Sequence, residues 1–167
     1  MSALFLALVL AAQPAECRLT VYSYNDCANR LFHSHSWAVF ERGPEKVVIS
    51  WGPAQGNGTD AIRTAVPGKN YSHEQTLTFA QRLGLQVRTY GPYKIRPELF
   101  DNAKQWAKTL DSGRVFYVLL DRHCRPDACN CVSALLLTGG VRPRTGLRHG
   151  YQASEAIVRH FRWYFLE

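Results

Sequence analysis

Residues 32–40 read Phe-His-Ser-His-Ser-Trp-Ala-Val-Phe, and from His33 onwards larger side chains alternate with serine or alanine. Alternation with period two is typical of a β-strand whose two faces meet different surroundings. Side chains two apart lie on the same face of a strand. One face therefore carries His33, His35, Trp37 and Val39. We predict a strand over residues 32–41 that presents titratable rings on one face.

Further strands are predicted on both sides of this one. Residues 18–24 alternate in the same way, and the apolar run 46–51 follows a turn at Gly43-Pro44. The stretch 52–70 is rich in glycine and proline, which predicts a loop. Shorter strands are predicted over residues 87–90 and 115–120, the second as a central strand because it is densely apolar.

Helix signals begin in the middle of the chain. Ser72 and Gln75 fit a capping box that starts a helix, and Gly84 ends it. Pro97 suits the first turn of a second helix, which Gly113 ends.

Two more helices are predicted near the C-terminus. One runs from the N-cap residue Asn130 to Thr138, and the other is capped by Ser154. Strands early in the chain and helices later predict an α+β fold, in which helices pack on one sheet of about five strands.

Composition and charge limit the class of protein. The chain has 167 residues, 46% of them apolar and 20% charged, as in a globular domain rather than a disordered chain. The net charge of +7 favours anionic partners such as an acidic polymer or a lipid surface. No RNA-recognition or helix-turn-helix motif is present, so we expect no specific recognition of nucleic acid. We expect a monomer without a cofactor.

The N-terminus predicts export. Residues 4–12 are apolar and uncharged, with the length of a signal-peptide core and too short to span a membrane. Small residues that suit cleavage follow at Ala12 and Ala15. We therefore predict a signal peptide over residues 1–15, a single domain over residues 16–167, and a periplasmic or secreted protein.

The cysteine count agrees with export. Five cysteines occur, at positions 17, 27, 124, 129 and 131, and an odd number in an exported protein leaves one thiol outside the disulfides. If Cys131 is that thiol, the natural bridges join Cys17 to Cys27 and Cys124 to Cys129, although other connectivities are open.

Cys131 is the strongest candidate for a reactive group. The N-cap Asn130 places Cys131 at the first position of a helix, where unpaired N–H groups and the helix dipole favour a thiolate. A thiol nucleophile also needs a base. His35 lies in the middle of a predicted strand between the small Ser34 and Ser36, so it can be held rigidly beside a helix start.

The order of these motifs resembles the circularly permuted papain-like cysteine hydrolases, which are relatives of the NlpC-type cell-wall peptidases. The resemblance lies in His-x-Trp-x-Val-Phe from His35, a strand that ends Ser50-Trp51-Gly52, and Asn130-Cys131 at the start of an apolar helix. It extends from about residue 33 to residue 140. Lecithin-retinol-acyltransferase-like enzymes share the permuted order, so the resemblance indicates thiol chemistry more specifically than it indicates a substrate.

The resemblance implies a half-barrel antiparallel sheet, with Cys131 as nucleophile and His35 as base. No motif selects the residue that orients His35: Ser50 on the adjoining strand is the first choice, and Glu41 and His73 are alternatives. The backbone N–H of Cys131 is an expected oxyanion donor, and Asn130 is expected to orient this part of the site. The implied reaction is cleavage of an amide bond in a peptide or cell-wall substrate, such as a peptidoglycan cross-link or stem peptide. Acyl transfer or thioester hydrolysis is the alternative.

These roles require a particular geometry. The sulfur of Cys131 has to lie close to the ring of His35, or of His33 on the same strand face, and the pair has to line a cleft that a substrate can enter.

Two competing interpretations remain open. His123, Cys124, Cys129 and Cys131 can form a zinc site with His33 or His35, although their spacing is not the usual Cys-x2-Cys. Alternatively, the chain is a non-catalytic domain that binds an anionic glycan, lipid or nucleic acid through its basic last third. The residues concerned are Arg142, Arg144, Arg148, His149, Arg159, Arg162, Trp163 and Tyr164.

Overall fold

The computed structural model describes residues 15–24, 34–54, 64–118, 128–140 and 151–167. Within these ranges eight strands form two sheets, accompanied by four α-helices and a C-terminal 3₁₀ turn. The predicted α+β class is confirmed. No helix in this part of the chain is long and apolar enough to cross a membrane. The predicted signal peptide lies almost wholly outside these ranges.

The elements have the following bounds. The strands are β1 (Cys17–Tyr24), β2 (His35–Arg42), β3 (Glu45–Ile49), β4 (Trp51–Pro53), β5 (Val66–Asn70), β6 (Val87–Ile95), β7 (Phe116–Tyr117) and β8 (Ala128–Cys129). The helices are α1 (His73–Arg82), α2 (Pro97–Asp111), α3 (Cys131–Thr138) and α4 (Tyr151–Phe161), and the 3₁₀ turn is Arg162–Tyr164.

The first sheet is antiparallel and has the strand order β3-β2-β1-β6. Its register pairs Tyr24 with His35 at one end and Cys17 with Arg42 at the other. The turn between β2 and β3 passes through Gly43, whose positive φ of 56° favours glycine. Three of the predicted strands are therefore present, with starts and ends moved by a few residues.

The two faces of the first sheet pack against different helices, as the alternation predicts. Helices α2, α3 and α4 cover one face and form the larger core, which includes Leu19, Phe40, Ile49, Leu99, Leu135 and Phe161. Each of these side chains is fully buried, which contributes about 1.5–3 kcal/mol apiece. Helix α1 covers the other face in a smaller cluster with Tyr24, Trp37, Val39 and Ala80.

The second sheet was not predicted. It has the order β4-β5-β7-β8, with β7 and β8 parallel and the other pairs antiparallel. The predicted third strand, 46–51, is divided at Ser50, where the chain leaves one sheet for the other. The N–H of Ser50 donates to Asn70 Oδ1, and its carbonyl accepts from the N–H of Tyr71. The prediction of one sheet of about five strands is therefore wrong.

Other elements also differ from prediction. Strand β5 lies inside the predicted loop, and Gly68 is required there because a Cβ would come within 1.9 Å of the Trp51 ring. Strand β6 continues to Ile95, beyond the predicted short strand. In place of the predicted central strand, only Phe116 and Tyr117 pair in a ladder, while residues 119–120 lie outside the described ranges.

The helix starts are largely as predicted. Ser72 and Gln75 form a capping box at α1, and Pro97 occupies the first turn of α2. Ser154 is not a cap, because α4 begins at Tyr151. The hydroxyl of Ser154 is instead buried and lies 3.0 Å from that of Ser36 on β2.

Candidate active site

His35 begins β2, at the end of the first sheet, and is half-buried. Its ring belongs to an aromatic group on the face covered by α1. The ring centroids of Tyr24 and Trp37 lie 5.8 and 6.0 Å from that of His35. The predicted sharing of a strand face by His35, Trp37 and Val39 is confirmed, since Trp37 and Val39 belong to the cluster under α1. His33 lies outside the described residues.

Ser50 is the hydrogen-bond partner of His35. The Nε2 atom of His35 lies 3.0 Å from Ser50 Oγ, so the contact suggested from the sequence is present. Ser50 is fully buried, and the amide of Asn70 holds it by accepting from its N–H while donating to the carbonyl of Val48. The break between β3 and β4 thus places a hydroxyl against the ring. The catalytic role of Ser50 stays a prediction.

The other two proposed orienting residues have different partners. Glu41 forms an ion pair of 2.8 Å with Lys46 on the neighbouring strand. His73 accepts a hydrogen bond of 3.0 Å at Nδ1 from Trp37 Nε1. Among the three alternatives, the structure brings only Ser50 to His35.

The hydrogen bonds continue from Ser50 into α1. Thr76 Oγ1 lies 2.8 Å from Ser50 Oγ and 2.9 Å from the carbonyl oxygen of Ser72, to which it donates. Thr76 was missed in the sequence, where it looked like one polar residue in an amphipathic helix. The sequence did contain one signal for Thr76. It lies four residues before Ala80, so both residues are on the face of α1 that packs on the sheet.

Cys131 is the first residue of α3, as predicted. The side chain of Asn130 caps this helix by accepting from the N–H of Ser133 at 2.8 Å. Asn130 therefore stabilises the start of the helix that carries Cys131, and its role in orienting the catalytic site stays a prediction. The positive end of the helix dipole at this position favours a thiolate.

The predicted exposure of Cys131 in a cleft is wrong. The residue is only 1% exposed, and its neighbours Val132 to Leu136 on α3 are buried as well. The reason is the position of α3, a largely apolar helix that packs against the first sheet, α2 and α4, and whose polar residues Ser133 and Thr138 are buried too. Such a helix has no solvent-facing side.

The charge of Cys131 affects the pKa of two buried tyrosines, Tyr24 and Tyr117. Burial raises the pKa of Tyr24, and the negative charge of a Cys131 thiolate raises it further. Burial likewise raises the pKa of Tyr117, with smaller contributions from Cys131, Tyr24 and Cys129. The sulfur therefore lies within electrostatic range of Tyr24, the residue that pairs with His35 in the β1–β2 register. Neither tyrosine was identified as a site residue from the sequence.

The part of the chain that the structure describes contains no disulfide. Cys17 is a buried thiol whose sulfur donates to the carbonyl of Ala15 at 3.9 Å, and Cys129 is buried as well. Both side chains belong to the larger core. Their predicted disulfide partners, Cys27 and Cys124, lie outside the described residues.

The proposed zinc site has only part of its ligands in the described ranges. There, no three His, Cys, Asp or Glu side chains are grouped to hold a metal ion. His33, His123 and Cys124 fall outside these ranges, so the zinc interpretation is not tested.

The chain matches no protein-family model, no curated protein and no solved structure.

Proposed function

We propose that this protein is a cysteine hydrolase that cleaves an amide bond through a covalent acyl-enzyme, with Cys131 as nucleophile and His35 as base. The observation that carries the proposal is the 3.0 Å hydrogen bond between His35 Nε2 and Ser50 Oγ. It leaves Nδ1 as the ring nitrogen that can exchange a proton with the thiol. The charge of Cys131 supports the assignment, because it contributes to the raised pKa of Tyr24, whose ring centroid lies 5.8 Å from that of His35.

The chemistry proceeds in two halves. His35 Nδ1 accepts the proton of the Cys131 thiol as the sulfur attacks the substrate carbonyl carbon, and the backbone N–H of Cys131 donates to the developing oxyanion. The imidazolium then returns the proton to the leaving amine, which departs as the thioester forms. Water attacks the thioester with His35 again as base, and the acid is released with the thiol restored.

Burial of the sulfur adds a requirement to this mechanism. A substrate carbonyl has to come within contact distance of an atom that is 1% exposed at the residue level. Substrate binding must therefore accompany an opening around Cys131, and we expect turnover to be limited by that opening rather than by bond cleavage.

The proposed substrate is a peptide bond in a cell-wall polymer, either a peptidoglycan cross-link or a stem peptide. Support comes from the permuted order of His35, Ser50 and Cys131, and from a net charge of +7 that favours adsorption to anionic wall polymers. An acyltransferase or thioesterase with the same thiol chemistry is the alternative within this class.

Digestion of purified peptidoglycan tests the proposal. Wild-type protein should release new amino and carboxyl termini, which mass spectrometry of the soluble products can locate. Cys131→Ala should abolish this release, and Cys17→Ala should not, because Cys17 is a buried thiol at the opposite end of the first sheet from Tyr24 and His35. Equal release by wild type and Cys131→Ala would contradict the proposal. If an ester substrate is turned over and peptidoglycan is not, the acyltransferase alternative is favoured.

One surface favours a second function, the binding of an anionic polymer. A groove of about 400 Å³ lies between β6 and α4. Tyr93 and Phe165 stack at 4.5 Å in its lining, and Arg159 and Arg162 supply positive charge, with Trp163 beside them 84% exposed. Stacked rings next to guanidinium groups suit a sugar or base that carries negative charge.

Salt-dependent binding separates this function from hydrolysis. Arg159→Ala with Arg162→Ala should weaken binding to an anionic glycan column, whereas Arg82→Ala with Arg114→Ala, of equal charge change elsewhere on the surface, should not. Equal weakening by both pairs would indicate adsorption through net charge alone.

A further inference from the structure

The hydroxyl chain behind His35 has a definite direction, which can be found by counting protons. The chain consists of three contacts: His35 Nε2 to Ser50 Oγ at 3.0 Å, Ser50 Oγ to Thr76 Oγ1 at 2.8 Å, and Thr76 Oγ1 to the Ser72 carbonyl at 2.9 Å. Each hydroxyl has one proton to donate, and a carbonyl can only accept.

The last contact sets the direction. Since the Ser72 carbonyl has no proton, the contact is a hydrogen bond only if Thr76 donates to it, as threonine in a helix commonly does to the carbonyl four residues before. With its proton committed, Thr76 Oγ1 has to accept from Ser50. Ser50, in turn, has to accept from Nε2–H of His35.

The opposite direction is less favourable. If Ser50 donated to His35, Thr76 would have to donate to Ser50, and the 2.9 Å contact between Thr76 Oγ1 and the Ser72 carbonyl would join two acceptors. Ser50 is fully buried and Thr76 is 6% exposed, so water offers little compensation for a lost hydrogen bond at this point.

We propose that Thr76 is a positioning residue of the site: by directing the proton of Ser50, it holds His35 in the tautomer with Nε2–H and an unprotonated Nδ1. The functional meaning rests on the proposed hydrolase, in which Nδ1 accepts the thiol proton. In the protonated ring Nε2 still donates to Ser50, so only Nδ1 gains and loses a proton during turnover. Thr76 acts without touching the substrate, from α1, which packs on the same face of the sheet as the ring of His35.

The tautomer of His35 is measurable without any substrate. Protein labelled with ¹⁵N-histidine, held at a pH where the ring is neutral, should show Nε2 of His35 as the protonated nitrogen in long-range ¹H–¹⁵N correlation spectra. The resonance is assigned with His35→Gln. Thr76→Val, which keeps the shape and removes the hydroxyl, should move the proton towards Nδ1, because Ser50 can then donate only to Nε2.

Two variants provide the controls. Thr76→Ser keeps the hydroxyl and should retain the wild-type tautomer, and Thr78→Val removes an exposed hydroxyl from the same helix and should also retain it. If Thr76→Val does not fold, Ser50→Ala should still abolish the preference for Nε2–H. Wild-type protein with the proton on Nδ1, or an unchanged tautomer in Thr76→Val, overturns the proposal.

Turnover then separates the positioning role from the proposed function. We expect Thr76→Val to lower kcat roughly 10-fold with little change in KM, and Thr76→Ser to restore it. A changed tautomer in a protein without Cys131-dependent hydrolysis would leave the role of Thr76 intact and contradict the proposed function. A lower kcat with an unchanged tautomer would show that Thr76 is merely structural.

Discussion

His35 Nε2 and Ser50 Oγ lie 3.0 Å apart although they are 15 residues apart in the chain and belong to different segments of backbone. The contact forms because β2 and β3 are antiparallel neighbours and because the chain leaves the first sheet at Ser50. A side chain at the end of one strand thereby meets a side chain just beyond the end of the next. This is the arrangement on which the proposed chemistry depends.

Ser50→Ala is expected to impair catalysis more than folding. Without its acceptor, Nε2–H is no longer oriented, and we expect kcat to fall by about 10- to 100-fold with a small change in KM. Steady-state hydrolysis of a muropeptide measures both constants. Ser36→Ala is the matched control, since the Ser36 hydroxyl is also buried but faces Ser154 on the other side of the sheet. An equal loss of kcat in both variants would indicate a general effect of serine removal.

Asn130→Ala is expected to destabilise α3. The variant loses the hydrogen bond from the N–H of Ser133 to Asn130 Oδ1, which should lower the free energy of unfolding by about 1 kcal/mol. Urea denaturation measures this change. Asn102→Ala, in the middle of α2 and exposed, should lie within about 0.5 kcal/mol of wild type. If the two variants are equally stable, the cap does not hold the helix start.

The starts of helices α1 and α3 could be predicted from the sequence, because the residues that signal a helix start lie close together in the chain. The capping box at Ser72 and the cap at Asn130 need only residues within one turn. The alternation of side chains with period two was likewise sufficient to predict strands β1 and β2. Strands β5, β7 and β8 could not be predicted, since β7 and β8 have two residues each and exist only through pairing with distant segments.

The same distinction applies to the site. The contact between His35 and Ser50 and the position of Cys131 at a helix start could be predicted from residue type, order and local structure. The burial of Cys131 could not, because it depends on how α2, α4 and the sheet surround α3. Thr76 and Tyr24 were missed because only tertiary contacts bring them near Ser50 and His35.

Gly68→Ala tests the junction between the two sheets. The added Cβ would overlap the Trp51 ring, so we expect a loss of at least about 2 kcal/mol in unfolding free energy as β4 and β5 separate. Gly84→Ala provides a comparison, because nothing lies within 4 Å of its Cβ and only its φ of +65° opposes alanine. That backbone penalty is about 1 kcal/mol. A smaller loss at Gly68 than at Gly84 would contradict the packing described for Trp51.

Alkaline pH should reveal the buried hydroxyl of Tyr24. Burial raises the pKa of Tyr24 in the folded state. As the pH rises above the ordinary tyrosine pKa of about 10, Tyr24 therefore loses its phenol proton in the unfolded state first. The unfolded state then binds fewer protons than the folded state, and stability is full below about pH 10 and falls as pH rises beyond it. Tyr24→Phe should reduce this fall by up to about 1.4 kcal/mol per pH unit, measured by denaturation between about pH 9 and pH 11. Parallel curves for wild type and variant would place the hydroxyl in contact with water.

The proposed activation of Cys131 by His35 is tested most directly by the rate at which iodoacetamide alkylates Cys131 in the folded protein at neutral pH. Peptide mapping assigns the modified residue, and wild type is compared with His35→Gln. We predict that Cys131 is alkylated without unfolding and that His35→Gln lowers the rate about 10-fold or more, because the thiolate loses its partner. Alkylation of Cys131 only after unfolding, or at the same rate in both proteins, would contradict the assignment of Cys131 and His35 as nucleophile and base.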